Sequence, residues 1–321
     1  MSAQGARRYL VKHVSEFNYQ DPAHGSLMVL RLRPREDQRQ RILAFNLHID
    51  PFASPAAFED SFGNVCHLFN VHRAHRRAIV RSRSQVEIAD APAPVGRSER
   101  ESWDSLADMV DPVRHWDYLR PSRFAYPCRA LDSFTATNGI RRGAGPLCSL
   151  LETASTLHAA FTYEPGSTAV DSSIEQVLET GRGVCQDYTH VMIAIARSWG
   201  IPSRYVSGYL HLEGARGEQA QVGASHSWAE FLLPDMGWIG IDPTNDTRVD
   251  HRHIRTAVGR DYDDASPTRG VVYGGGESSL KVWVAVAEDE EPAPMGEALV
   301  ERANLRDIAP RPSVPRSGHD Q

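Results

Sequence analysis

From Arg8 to about Asp90 apolar side chains recur at every second position. In RILAFNLHID, Leu43, Phe45, Leu47 and Ile49 share one face while Ile42, Ala44, Asn46 and His48 share the other, the period of a half-buried strand. RRYLVKHVSEF, SLMVLRLRP and AIVRSRSQVEIA repeat the pattern, and Ser61-Phe62-Gly63-Asn64 reads as a turn between strands, so residues 1–90 are expected to form a β-rich domain. ADAPAPVGRS at 89 to 98 breaks the alternation with prolines and a glycine, opening a linker and helical connection over 91–145. The spacing then changes to that of helices at Trp103 to Arg114, Leu147 to Phe161 and Ser172 to Glu179. The clearest helix runs from Cys185 to Trp199: Val191, Met192, Ile195 and Trp199 share a face, and Gly200 with Pro202 ends it. Strands return at SRYVSGYLHL, SHSWAEFLL and GWIGID, the first two separated by the loop EGARGEQAQVG and the last two by the turn Pro234-Asp235-Met236-Gly237. LKVWVAVA at 280 to 287 is expected to close a second domain spanning 146–287. The acidic and Pro-rich residues 288–321 carry too little apolar surface to fold alone and read as a tail.

Composition narrows the class. With 321 residues, 41% hydrophobic and 24% charged, the chain is long enough for two globular cores. A net charge of -6 argues against nucleic acid as a partner, and the basic run His72-Arg73-Ala74-His75-Arg76-Arg77 reads as a solvated face. No apolar run reaches the length of a signal peptide core or a membrane span, so the expectation is a cytoplasmic chain with no membrane partner. Cys66, Cys128, Cys148 and Cys185 form no CxxC pair, which excludes a zinc knuckle and a disulfide framework.

One cysteine stands apart. In GRGVCQDYTH, Cys185 opens the helix behind two glycines, beside unpaired backbone N–H groups and the positive end of the helix dipole, both of which favour thiolate. The same N–H groups suit a developing oxyanion. Asp187 opposes them with a nearby negative charge, so a base is required. Of fourteen histidines, His226 lies in an alternating strand, ASHSWAEFLL, that would hold its ring in fixed orientation. GWIGIDPTN then places Asp242 at a strand end, where on a neighbouring strand it would accept from the other imidazole nitrogen. Cysteine, histidine and aspartate in that order make a nucleophile, a base and an orienting group.

GRGVCQDYTH, IPSRYVSGYL and ASHSWAEFLLPDMGWIGIDPTNDT together resemble three successive blocks of the bacterial branch of the transglutaminase-like superfamily, whose fold is related to papain-like cysteine proteases. The resemblance continues through DHRHIRTAVGRDYDDASPTRG and FTYEPGSTAV, and YLVKHVSEFNY with DSFGN resembles the β-rich N-terminal domain of that branch. It implies an α+β fold: an N-terminal all-β domain followed by a core in which the helix bearing the cysteine packs on an antiparallel sheet bearing His226 and Asp242. It also implies Cys185 as nucleophile, His226 as base and then acid, Asp242 as orienter, and an oxyanion site made by the Cys185 amide with an upstream aromatic, for which Tyr163 is the candidate. Gln186, Tyr205 and Tyr209 complete the oxyanion and cleft candidates.

No cofactor or metal is expected. Asp261 to Asp264 and Glu288 to Glu291 lack the ligand alternation of a calcium loop, and His251-Arg252-His253 reads as a surface pair. The expected reaction is acyl transfer at the carbonyl of a peptide, protein or small amide, the loop at 213 to 223 deciding between water and an amine as acceptor. The rivals are a binding module of the same fold that has lost turnover, and a redox-sensing thiol with Cys148 as its resolving partner.

Overall fold

A computed structural model of the chain describes residues 6–89, 102–212 and 225–289. Most of the expected linker at 89–98, the loop at 213–223 and the tail beyond residue 289 lie outside the described residues.

The alternating N-terminal half supplies five strands of a seven-stranded antiparallel sheet. Its spine is β1 (Arg7–Leu30), paired with β4 (Val65–Val71) and β5 (His75–Ile88), beyond which lie β3 (Ala56–Glu59) and β2 (Gln40–Asp50) respectively. RRYLVKHVSEF and SLMVLRLRP, expected as two strands, are one: β1 continues through register shifts between Asn18 and Gly25 and so serves different neighbours at its two ends. Tyr9 and Val11 point into the core between the halves, while Met28, Leu30 and Leu32 pack with Ile49, Phe69, Val71 and Val80.

Beyond residue 102 come α1 (Trp103–Met109), α2 (Trp116–Leu119), α3 (Arg129–Thr137) and α4 (Pro146–Ala160), then β6 (Thr162–Tyr163), α5 (Ile174–Thr180), β7 (Arg182–Gly183) and α6 (Cys185–Ser198). A five-stranded antiparallel sheet follows, built from β8 (Ser203–Leu210), β9 (Ser225–Leu233), β10 (Gly237–Asp242), β11 (Thr247–Arg248) and β12 (His253–Gly259) in the order β11-β10-β9-β8-β12. Ala229, Phe231, Leu233 and Tyr205 face α6, whose Val191, Met192, Ile193, Ile195 and Ala196 are all buried. The helix is therefore buried nearly all round, enclosed between the sheet and other helices, with Asp187, Thr189, His190 and Arg197 buried alongside the apolar residues.

After α7 (Tyr262–Ala265) the chain returns to the first sheet: β13 (Thr268–Gly274) and β14 (Ser278–Glu288) both pair with β1. LKVWVAVA is thus a strand as expected, but it completes the N-terminal sheet rather than the second domain. Alternation specifies a strand and its two faces, whereas its partner is set by long-range pairing that periodicity does not encode.

The two halves are joined along β12. Asn64 accepts from the Val258 N–H at 2.8 Å and donates to the Val258 carbonyl at 2.7 Å. Gln40 does the same for Arg255, at 2.9 and 2.8 Å, and Asp37 pairs with the Arg255 guanidinium. Gly208 on β8 lets Trp228 and β12 close in: a Cβ there would stand 2.2 Å from the Ile254 carbonyl oxygen and 2.7 Å from the Trp228 ring. Since backbone has to move to relieve that clash, Gly208→Ala is expected to cost about 1–3 kcal/mol, read as a lower unfolding midpoint in urea.

Candidate active site

The start of α6 is shaped by short-range geometry. Gly181 ends α5 in the left-handed region (φ 66°), and β7 then pairs in parallel with β6, setting Tyr163 opposite Gly183. Gly183 admits the Asp187 carboxylate, since a Cβ there would lie 2.8 Å from its Oδ2. That oxygen accepts from the Val184 N–H at 2.8 Å and from the Thr168 hydroxyl at 2.7 Å, which ties down the helix start. Burial raises the Asp187 carboxyl above its usual value against those two hydrogen bonds. Its charge, expected to oppose a thiolate, is spent on the helix cap; the carboxylate that bears on Cys185 is Asp242.

Cys185 at the start of α6 and His226 on β9 lie close enough for each to shift the ionisation of the other. The β8–β9 and β9–β10 registers place His226 opposite Gly208 and Ala229 opposite Ile241, one position before Asp242. His226 Nε2 lies 2.6 Å from Asp242 Oδ2, leaving Nδ1 for the sulfur. Burial alone would push the Cys185 thiol up, but the hydrogen bond and charge of His226, with a contact from Ser227, outweigh it and the thiol is lowered. Burial would likewise lower His226, yet the charge and hydrogen bond of Asp242 raise it to about 10. Both shifts favour a thiolate–imidazolium pair.

Asp242 is fully buried and surrounded by donors. Its Oδ1 accepts from the backbone N–H groups of Thr244 (3.0 Å) and Asn245 (3.3 Å), and its Oδ2 from Asn245 Nδ2 (2.7 Å), His226 and His253 Nε2 (3.3 Å). Burial opposes its ionisation, but the histidines hold it far below the ordinary carboxylate range. His253, read from sequence as a surface residue, is instead buried at the start of β12 against Asp242. The alternation of HIRTAVG was the available signal: it marks a strand, and His253 begins it. Asn245 was equally missed, although its place three residues after Asp242, past a proline, suits a turn that folds back on the carboxylate.

Of the remaining candidates, Tyr163 is brought close: burial and the Cys185 charge push its hydroxyl up to about 12, so it stays protonated and able to donate. Tyr205 also feels the Cys185 charge but is buried beneath α6, its ring 5.0 Å from that of His190, and so forms floor rather than cleft wall. Gln186 directs its amide to the Val170 carbonyl at 2.9 Å, away from an oxyanion role. Tyr209 is not at the site. Its hydroxyl lies 3.1 Å from His13 Nδ1 and its ring packs with Tyr9 and Val11, because β8 runs past the helix start into the seam between the halves. Cys148 sits on α4 with its sulfur 3.2 Å from Glu152, and no disulfide joins any of the four cysteines.

His226, Asp242 and His253 have donor atoms within 4.8 Å of one another, near enough to suggest a cation. The 2.6 Å between Nε2 and Oδ2 is a hydrogen-bond distance. Two ligands about 2.0–2.1 Å from one tetrahedral metal stand roughly 3.3 Å apart, so the cluster as built shares protons.

Residues 135–243, which carry the cysteine, histidine and aspartate, match the transglutaminase-like superfamily, and residues 9–87 match the bacterial transglutaminase-like N-terminal region. The chain belongs to the transglutaminase-like superfamily. An uncharacterized protein of Mycobacterium tuberculosis is 34% identical over 298 residues, 86% of this chain and 91% of that one. A protein-glutamine gamma-glutamyltransferase of Pseudomonas aeruginosa is 34% identical over 88 residues, 26% of this chain and 13% of its own length. A candidate cysteine protease of Cytophaga hutchinsonii has the same fold, with a TM-score of 0.70 at 20% identity, covering 91% of this chain and 94% of that one. Among the described residues, no helix of this transglutaminase-like chain is long and apolar enough to cross a membrane.

Proposed function

We propose that this transglutaminase-like chain is a cysteine acyltransferase acting on amide carbonyls. The observation that carries the reading is a single imidazole, His226, bonded to Asp242 at 2.6 Å and lowering the Cys185 thiol at the N-terminus of α6. The Cys185 thiolate adds to the carbonyl carbon, and the developing oxyanion is met by the Cys185 backbone N–H and the Tyr163 hydroxyl. The C–N bond then breaks, His226 passes its proton to the departing amine, and a thioester remains on Cys185. Neutral His226 next takes a proton from water or from an acceptor amine, which attacks the thioester. Water gives the carboxylic acid; an amine gives a new amide. Asp242 holds the ring in the tautomer that offers Nδ1 to sulfur and stabilises the imidazolium when it forms.

The name of the Pseudomonas relative makes glutamine carboxamides the first donors to try. Glutamine peptides are incubated with the protein, with and without a fluorescent primary amine, while ammonia release and labelled product are followed. Acid quenching and mass measurement of the protein are expected to show an acyl adduct on Cys185, absent in Cys185→Ala. Ammonia release without amine incorporation assigns a hydrolase, and incorporation assigns a transamidase. Equal reactivity of all four native thiols toward iodoacetamide, with no adduct from any amide donor, overturns the reading.

A further inference from the structure

Asp242 has two histidines, not one. His226 approaches Oδ2 at 2.6 Å and His253 approaches the same oxygen at 3.3 Å. The His253 side chain has no exposed surface, and the Trp228 ring stands edge-on to it, with centroids 5.1 Å apart and an interplanar angle of 79°. Because a carboxylate only accepts, His253 Nε2 carries the hydrogen it shares with Asp242. Its Nδ1 lies 3.3 Å from both the backbone N–H and Oδ1 of Asp250, so the ring is anchored at each end. The titratable groups around it are Asp242 on β10, His226 on β9 and Asp250 before β12. Asp250 is itself held by Arg252 at 2.7 Å and bears on Tyr9 of the first sheet.

We propose that His253 is a positioning residue acting through Asp242: it draws part of the carboxylate's charge away from His226 and so leaves the His226 ring able to release its proton to a leaving amine. This rests on the roles given above to Cys185, His226 and Asp242. Orientation alone does not account for the contact, since Asn245 and Thr244 already supply three donors to Asp242. What His253 adds is a competitor for the one oxygen that His226 uses. A general acid works best as its proton affinity nears working pH, and a carboxylate bonded only to His226 would hold that proton more tightly still.

The expected signature has a sign that damage to the fold does not produce. In His253→Leu the undivided charge of Asp242 strengthens the thiolate–imidazolium pair. Iodoacetamide labelling of Cys185, measured on the acid side of its inflection, is then expected to rise by about three- to tenfold, the size of one ordinary hydrogen bond lost. The His226 ring, followed by NMR with isotope-labelled histidine, is expected to titrate at higher pH. His253→Gln, whose amide nitrogen reaches where Nε2 stood, should restore both values to within about twofold. If His253→Leu does not fold, His253→Asn keeps a polar group against Asp250 but falls short of Asp242, and is expected to behave as leucine would. An unmoved His226 titration in a folded Leu or Asn variant overturns the proposal. The NMR reading holds whether or not Cys185 proves to be a nucleophile, so failure here is separable from failure of the acyl-transfer reading.

Discussion

In Asp242→Asn, Cys185 is expected to lose its reactivity near neutral pH. Iodoacetamide labelling below the ordinary thiol pKa of about 8.5 should fall as the thiol returns toward that value, and amide turnover should fall by about 10³–10⁴-fold. The buried His226 imidazolium is sustained by the Asp242 charge at 2.6 Å; desolvation otherwise drives the ring neutral. With an amide in place of the carboxylate the ion pair collapses to thiol and imidazole. The amide also offers a donor where an acceptor is needed, which favours the wrong tautomer. The pH profile separates this from unfolding. Wild-type Cys185, lowered below its usual value, is expected to label at lower pH than an ordinary thiol, with His226 staying protonated until pH approaches about 10. The variant is expected to show one inflection at an ordinary thiol pKa. A variant with the wild-type profile would remove Asp242 from the mechanism.

Glu230→Ala is expected to be the costliest stability change in the second sheet, about 3–5 kcal/mol, because it strands buried cations. Glu230 is almost fully buried on β9, its Oε2 lying 2.6 Å from Arg204 Nη2 and its Oε1 2.8 Å from Arg255 Nε. Both guanidiniums are largely enclosed, and Arg204 also stacks on Trp238 at 4.1 Å. Arg255 is the residue that Asp37 and Gln40 grip from the N-terminal sheet, so the loss is expected to reach the seam between the halves. Differential scanning calorimetry should show a fall on the order of 10 °C, and double substitution with Arg255→Met should recover part of it. Burial opposes ionisation of Glu230, but Arg255 and Arg204 hold its carboxyl down at about 2 in the folded chain. Its contribution is therefore present above the ordinary carboxylate pKa and lost as pH falls from about 4.5 toward 2. The wild-type chain should lose stability over that window, and the variant should lose less.

Much of the local structure follows from the residues themselves. Alternation in RILAFNLHID and SHSWAEFLL marks strands because a pleated chain sends successive side chains to opposite faces, and a half-buried sheet needs one face apolar. Glycines at 181 and 183 ahead of Cys185 mark a helix entry because a left-handed turn and a close carboxylate both exclude a Cβ. The cysteine, histidine and aspartate were readable for the same reason: each stands at an element terminus where its chemistry has a local cause. Tyr209 shows the limit of such reasoning. It repeats Tyr205 along the same strand, yet one ring lies under α6 and the other in the seam with β1, since the helix covers only part of the strand's length.

Local pattern was enough to mark many of the strands, the cysteine-bearing helix, the order of cysteine, histidine and aspartate, and the family. Tertiary structure alone decided that β14 completes the first sheet, that Asp187 caps its own helix and that His253 is buried against Asp242. The division has a physical origin. Periodicity, capping and turn chemistry act between residues a few positions apart, so they are written in adjacent letters. Strand partnership and the sharing of a buried carboxylate by two rings depend on contacts between distant segments, and those arise only when apolar burial brings whole elements together.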